Sequence, residues 1–508
     1  RTYVSSGNEA AIGLTDFIAA LLLDPSIRVI GGYVESIRDG PGFKEVARAA
    51  RRAGTPLVLV KVGSSDSGKA AAASHTGALA GDDRVYDAAF GSLGVVRAED
   101  DEHLLDCLEA FDALRRLPAG PSVAVITMSG GAGVLLCDAL ERAGLHLSRL
   151  SDDLKDRLRD ILPAYASLRN PVDLTGQFVA NTEGMSAVLE EVAAEEGIDT
   201  MVVFAGLGWT ADGKWIEPLV SRSGWSVPMI VVAPLATEEQ RRRLREAGIP
   251  CYGRPLQAVR VLEALVDWST SPPAPALPAA PAEVSIEGAG TLTEAASKQL
   301  LGEMGCRLPR GGLATSSKEA GAIAASIGGP VVLKAQSTAL PHKTEVGGVV
   351  VGVPPGDAAR AYSEMCESLA EAAPEATLEG ILVEEMIGGG AEFVVGAVWE
   401  EPFGHLVMVG AGGVAVELWG DVAFGLAPID RDAASALIAE LRSGALLDGF
   451  RGEEPLDAAS LAETMVQVSD LCSTLGRRLQ QLDLNPVRVL RDGQGAVVLD
   501  ALAVLENP

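Results

Sequence analysis

Residues 122 to 143 read Ser122-Val123-Ala124-Val125-Ile126-Thr127-Met128-Ser129-Gly130-Gly131-Ala132-Gly133-Val134-Leu135-Leu136-Cys137-Asp138-Ala139-Leu140-Glu141-Arg142-Ala143. Ser122 to Met128 is an almost unbroken apolar run, as a strand covered on both faces requires. Ser129 to Gly133 is a tight glycine turn, and Val134 to Ala143 has helical spacing. A strand running through such a turn into a helix opens a βαβ unit with a parallel sheet. Backbone N–H groups at that helix start point outward, which suits a phosphate. A glycine turn used only for packing explains the same residues equally well when they are read alone.

The grammar repeats on either side. Upstream, Arg28 to Val34 and Pro56 to Lys61 are apolar strand runs flanking a helical stretch, Phe43 to Ala53. A Gly/Ser/Ala-rich segment, Gly63 to Gly81, precedes helices near 83–91 and 100–114. Downstream, strands are predicted at 199–206 and 227–233, with helices at 183–195 and 237–247. Residues 271–290 hold a Pro/Ala tract, a semi-extended linker. Beyond it the texture changes. Helices at 292–304 and 317–327, strands at 330–334 and 346–353, and a run of strands over 379–426 lead to helices at 431–441 and 457–475. Strands at 480–484 and 496–500 close the chain. The domains predicted are 1–117, 118–270 and 291–508, in line with about three domains for 508 residues.

Forty-one basic against sixty-nine acidic residues give a net charge of −28, which argues against a nucleic-acid binder. The longest uncharged stretch, Leu117 to Cys137, carries prolines and glycines, so no membrane span is expected. No signal peptide opens the sequence, and the six cysteines form no CxxC or Cys/His cluster. A cytoplasmic location is expected. His103 and His146 are expected on the surface and His405 in a structural position.

Two histidines stand out. His75 lies in Ala73-Ser74-His75-Thr76-Gly77-Ala78-Leu79-Ala80-Gly81, where small residues let an anion approach the backbone. A catalytic role needs a partner that fixes one ring nitrogen. Glu35, at the end of the strand Arg28–Val34, is a candidate, because strand C-termini of open parallel sheets face the ligand crevice. Read alone, His75 is as readily a surface loop histidine and Glu35 an ordinary strand-end carboxylate. His342 sits in the loop Gln336 to Lys343, between two strands.

Several strings together resemble NDP-forming acyl-CoA synthetases, the acetyl-CoA synthetase (ADP-forming) branch of the succinyl-CoA synthetase superfamily. They are Ser74 to Gly81, Val4 to Glu9, Tyr33-Val34-Glu35, Ser129 to Gly133 and Asn170-Pro171-Val172-Asp173-Leu174-Thr175. The resemblance implies two flavodoxin-like, doubly wound parallel-sheet domains followed by an α+β ATP-grasp domain. It makes His75 the phosphate acceptor, Glu35 its orienting carboxylate and His342 a second phosphate relay. Ser129, Gly130, Gly131, Ala132 and Gly133 become a phosphate cradle. In the ATP-grasp part it gives Lys334, Glu384, Glu385, Met386, Gly412, Gly413 and Glu417 to the nucleotide. Asn485 and Asp500 would carry magnesium, with Asp483 a third candidate; such oxygens are hard donors.

The implied reaction interconverts acyl-CoA, ADP and phosphate with a carboxylic acid, CoA and ATP. Its partners are a small carboxylic acid or acyl-CoA and further copies of the chain. The family's N-terminal CoA-binding domain is expected to be missing, and with it efficient CoA binding. Two alternatives stay open: a synthetase-like regulatory module without turnover, and an ATP-grasp ligase joining a carboxylate to an amine.

Overall fold

The computed structural model describes every residue except 1, 8, 10, 64–82, 176–180, 207–213, 222–223, 272–288, 340–342, 345, 413–419, 450–451 and 507–508. His75, His342, Gly413 and Glu417 therefore lie outside the described residues. The chain divides into two compact units, Arg1–Ala274 and Pro275–Pro508.

Among its described residues, the first unit holds two parallel sheets. β1 (Ile30–Val34), β2 (Leu57–Lys61) and β3 (Val96–Ala98) lie in that order. The helix Gly40–Ala53 connects β1 to β2. Asp39 caps it by accepting from the Gly42 N–H at 2.9 Å, Pro41 sits in its first turn, and Gly54 ends it at φ 70°.

The second sheet contains β4 (Ser122–Thr127), β5 (His146–Leu147), β6 (Val172–Asp173), β7 (Thr200–Phe204), β8 (Met229–Val232) and β9 (Cys251–Tyr252). Its order is β5-β4-β7-β8-β9, with β6 also paired to β4, and every pair is parallel.

Strand alternation sorts the side chains into two cores. Ala124, Ile126, Met201, Val203, Met229 and Val231 join Leu154, Leu158 and Val188 in one. Val123, Val125, Val202, Ile230 and Val232 join Leu136, Leu140, Leu262 and Leu265 in the other. Burial on both faces is why these strands read as unbroken apolar runs. The second core also takes Val58, Val60, Val96 and Phe111 from the first sheet, which ties the two sheets into one unit. Arg51 adds a latch: its guanidinium donates to the Trp268 carbonyl at 2.6 Å and lies 4.4 Å over the indole.

One boundary differs from expectation. The helix after β4 spans Gly130–Arg142, so the glycines form its first turn instead of preceding it. A Cβ at Gly133 would sit 3.2 Å from Thr127 Cγ2 and 3.6 Å from Pro171, so glycine lets the helix start pack against the strand end. His103 is a second correction. The imidazole is 6 % exposed, not on the surface, and its Nδ1 accepts from the Glu99 N–H at 3.3 Å. His405 is also buried, with Nε2 at 2.7 Å from the Leu479 carbonyl.

Among its described residues, the second unit holds two antiparallel sheets. After β10 (Gly290–Thr291) come β11 (Gly311–Ala314), β12 (Val331–Gln336), β13 (Val349–Val353) and β14 (Gly380–Glu385), in the order β11-β14-β12-β13. Helices Ser317–Ile327 and Ala358–Ala372 bury Ala320, Ala324, Met365 and Leu369 with that sheet's apolar residues. The larger sheet adds β15 (Ala391–Glu400), β16 (Gly404–Ala411), β17 (Val422–Leu426), β18 (Leu479–Val489), β19 (Ala496–Val498) and β20 (Leu502–Leu505) to β10. Its order is β10-β20-β18-β15-β16-β17, with β19 beside β18. Helix Ala458–Leu475 supplies Leu461, Met465, Val468 and Leu471 to its core.

Candidate functional site

In the first unit, parallel pairing sets the strand ends side by side. Val34 is in register with Lys61, so Glu35 follows β1 where Val62 follows β2. Glu35 is half-buried there. Lys61 is 5 % exposed; its ammonium donates to the Val62 carbonyl at 2.5 Å and lies 4.7 Å from the Tyr86 ring centroid. Tyr86 is pinned in turn, its hydroxyl accepting from the Ile37 N–H at 3.1 Å. Sequence reasoning gave Lys61 no part, because a lysine closing an apolar run looks like a solvated strand end.

The predicted cradle is a helix start with no side-chain cap: Ser129 makes no capping bond. Thr127 Oγ1 instead accepts from the Ser129 N–H at 3.0 Å, which fixes the entry to the turn. Gly130 and Gly131 are exposed, while Ala132 and Gly133 are buried against the sheet. An uncapped helix start with bare glycines leaves its N–H groups open to an anion. Asp173 stands close, its Oδ2 3.5 Å from where a Cβ on Gly130 would be, and its Oδ1 accepts from the Thr175 N–H at 2.9 Å. Thr175 adopts φ 64°, a left-handed conformation that a β-branched residue rarely takes. Asn170 acts as a strut: it accepts from the Val125 N–H and donates to the Val123 and Ser148 carbonyls.

The second unit brings its candidates together more tightly. Lys334, on β12, is 9 % exposed. Its ammonium reaches Glu294 at 2.5 Å, the Leu499 carbonyl at 2.5 Å and Glu384 at 3.3 Å. Lys298 donates to both oxygens of Glu384, at 2.6 and 2.7 Å, and to the Leu499 carbonyl at 2.8 Å. Lys343 pairs with Glu294 and, at 3.3 Å, with Asp500. Glu294, Lys298 and Lys343 escaped sequence reasoning. Glu294 and Lys298 are one turn apart on the helix Glu294–Glu303, a spacing that signals a shared face.

Three ammonium groups and three carboxylates make the cluster formally neutral. Burial alone would raise the Glu294 carboxyl, yet Lys298, Lys334 and Lys343 hold it at about 2. Burial disfavours the charged form of Lys334, but Glu294, Glu384 and Asp500 outweigh that and push its pKa up. Asp500 is raised by burial and by Glu294, with the three lysines opposing. Asp483 is raised by burial and then by Asp500, so the two carboxylates feel each other. Backbone pairing brings Asn485 toward them: the Leu499 N–H donates to the Pro486 carbonyl at 2.9 Å. Among the described residues no group of three or more His, Cys, Asp or Glu is arranged to hold a metal ion; Asp483, Asp500 and Asn485 are hard oxygen donors of the type a divalent cation takes.

Other predicted residues sit elsewhere. Successive residues of β14 face opposite ways, so Glu384 enters the cluster while Glu385 turns out to Arg310, bonding its N–H at 2.9 Å and Nε at 2.8 Å. Met386 is exposed and its N–H donates to the Pro330 carbonyl at 3.0 Å. The Gly412 N–H donates to the Glu392 carbonyl at 2.8 Å, and a Cβ there would lie 2.6 Å from the Glu392 backbone carbon. Among the described residues, no helix is long and apolar enough to cross a membrane.

Comparison with known proteins adds the following. A family model for the ATP-grasp domain matches residues 283–505. One for the succinyl-CoA ligase like flavodoxin domain matches 1–111, and one for the ligase-CoA domain matches 123–190. An acetate–CoA ligase (ADP-forming) of Archaeoglobus fulgidus is 35% identical over 507 residues, covering 97% of this chain and 73% of that protein. A trans-feruloyl-CoA synthase from an unknown prokaryotic organism is 33% identical, covering 99% of this chain and 72% of its own length. A 4-hydroxybutyrate–CoA ligase (ADP-forming) of Nitrosopumilus maritimus is 30% identical, covering 98% and 73%.

Proposed function

Because this chain belongs to the family of ADP-forming acyl-CoA ligases, we propose that it interconverts acyl-CoA, ADP and phosphate with a carboxylic acid, CoA and ATP through an acyl phosphate and a phosphorylated His75. It is an acid–thiol ligase with two flavodoxin-like domains and an ATP-grasp domain. The observation that carries this reading is the 35% identity running along 97% of the chain, through both units.

A carboxylate is a poor acyl donor, and covalent catalysis divides its activation into easier steps. In the ATP-forming direction, phosphate oxygen attacks the thioester carbonyl and CoA leaves as the thiolate. An imidazole nitrogen of His75 then takes the phosphoryl group and the free carboxylate departs. The group then passes from the His75 nitrogen to a nitrogen of His342, freeing the first imidazole, and finally a β-phosphate oxygen of ADP takes it from His342, so that ATP forms. Glu35 orients the ring. The helix start at Ser129–Gly133 receives the phosphate; its uncapped N–H groups support that role. His342 relays the group on the ATP-grasp side.

There Lys334 neutralises nucleotide phosphate, and Glu384, Glu385, Met386, Gly412, Gly413 and Glu417 border the nucleotide. Phosphoryl transfer is mostly positioning and charge neutralisation, and a lysine already held by two carboxylates is positioned in advance. Asn485 and Asp500 would hold magnesium, which when bound offsets phosphate charge. We place the reaction in the cytoplasm, consistent with six free thiols, and expect a homo-oligomer. The test is ATP formation from a panel of acyl-CoAs with ADP and phosphate, run beside the reverse reaction with amines in place of CoA. ATP made from at least one acyl-CoA is expected. Amide products without thioester chemistry would overturn the proposal.

A further inference from the structure

Lys343 holds two carboxylates unequally. Its tighter contact is with Glu294, which is itself the hub for Lys298 at 2.9 Å and Lys334 at 2.5 Å. Its looser contact is Asp500, at 3.3 Å. A hydrogen bond anchors the Lys343 backbone to Gly348. Its carbonyl accepts from the Gly348 N–H at 2.6 Å, and a Cβ on Gly348 would come within 2.8 Å of that oxygen. The Lys343 side chain is 17% exposed. Among the described residues, Glu294 links Lys343 to Lys298 and Lys334, which both reach Glu384, and Asp500 acts on Asp483.

A magnesium-sized cation binds carboxylate oxygen at about 2.0–2.1 Å and brings water with it. An ammonium 3.3 Å from the same carboxylate stands in the way, by volume and by charge. Resting on the assignment of the metal to Asp500, we infer that Lys343 is the resident cation of Asp500 in the metal-free protein, displaced from it by an arriving divalent ion. Giving up Asp500 sacrifices only the longer of its two ion pairs. Glu294 keeps the ammonium nearby, and nucleotide phosphate then takes the place of the lost carboxylate. The lysine would thus oppose metal binding when no nucleotide is present and favour it when one is.

The test titrates Mn2+ into the full chain and reads free Mn2+ by electron paramagnetic resonance, first alone and then with saturating ADP. Wild type is compared with Lys343→Met, Lys343→Arg and Asp500→Asn. With Mn2+ alone, Lys343→Met should bind about two- to fivefold more tightly than wild type, the range a partly exposed ion pair is worth. Lys343→Arg should stay close to wild type. With ADP the order should reverse, Lys343→Met binding Mn2+ more weakly. A merely structural role would weaken both titrations together. Equal or weaker Mn2+ binding by Lys343→Met without nucleotide overturns the inference, while loss of the site in Asp500→Asn leaves the metal assignment standing. Retention of the site in Asp500→Asn overturns both.

Discussion

Replacing Lys298 with methionine keeps the length of the side chain and removes its charge from a site that is 3 % exposed. Glu384 then loses two bonds, of 2.6 and 2.7 Å, and among the described residues keeps Lys334 at 3.3 Å. Breaking a buried ion pair from one side costs about 3–5 kcal/mol, mostly because the remaining charge has no partner. Lys334 still serves Glu384 and the Leu499 carbonyl, which places the expected loss near the lower end, about 3 kcal/mol. That is roughly a hundredfold rise in local opening. Because the chain has two compact units, a single melting midpoint would blur the effect. Amide hydrogen exchange read by mass spectrometry on peptides spanning Glu294–Glu303 and β14 isolates it. Adding Glu384→Leu should recover most of the protection, since an apolar pair of similar volume replaces the ions. A loss below about 1 kcal/mol, the value of a surface pair, would refute the idea that this cluster is a buried, interdependent network.

Glu294 makes the pH dependence of the same unit predictable. Its folded pKa of about 2 lies below its ordinary 4.5, so its stabilisation is complete above about 4.5 and is lost as pH falls toward about 2. Exchange protection of helix Glu294–Glu303 should fall over that window, and Glu294→Gln should flatten the slope. Gly412→Ala should raise the KM for ADP at least several-fold and also destabilise the second unit, because its Cβ would meet the Glu392 backbone at 2.6 Å and the strand must shift; steady-state kinetics beside hydrogen exchange on β15 and β16 decide it. Burial pushes the thiols of Cys107, Cys251 and Cys306 up to about 12, so a thiol reagent at neutral pH should modify only the half-buried Cys137 and Cys366 in the native protein, as peptide mapping would reveal.

The α/β layering was legible because burial on both faces writes itself into β4, β7 and β8 as continuous apolar runs. What escaped had weak local signals. β10, β11 and β20 are two to four residues long, and β11 opens on two glycines. Their pairing is set by partners distant in sequence, such as Leu502 with Asp483. The first turn of the helix Gly130–Arg142 hid behind glycines that ordinarily punctuate chains. In the candidate site, Lys334 and Glu384 were named through the strings that carry the family resemblance. Glu294 and Lys298 were not, because an i,i+4 acid–base pair normally marks a solvated face. Only the approach of β12, β14 and the Leu499–Asp500 corner buries it. His103 misled for the same reason: helical spacing does not tell which face a neighbouring layer covers.

The most direct measurement follows phosphate itself. The protein is incubated with ATP labelled in the γ-phosphate and magnesium, then denatured and tested for acid-labile, alkali-stable label. Stoichiometric labelling is expected that chases into ATP on adding ADP, falls in His75→Ala to what His342 holds, and disappears when His342→Ala is added. Label that persists unchanged in His75→Ala, or none in a wild-type protein that turns over acyl-CoA, would contradict it.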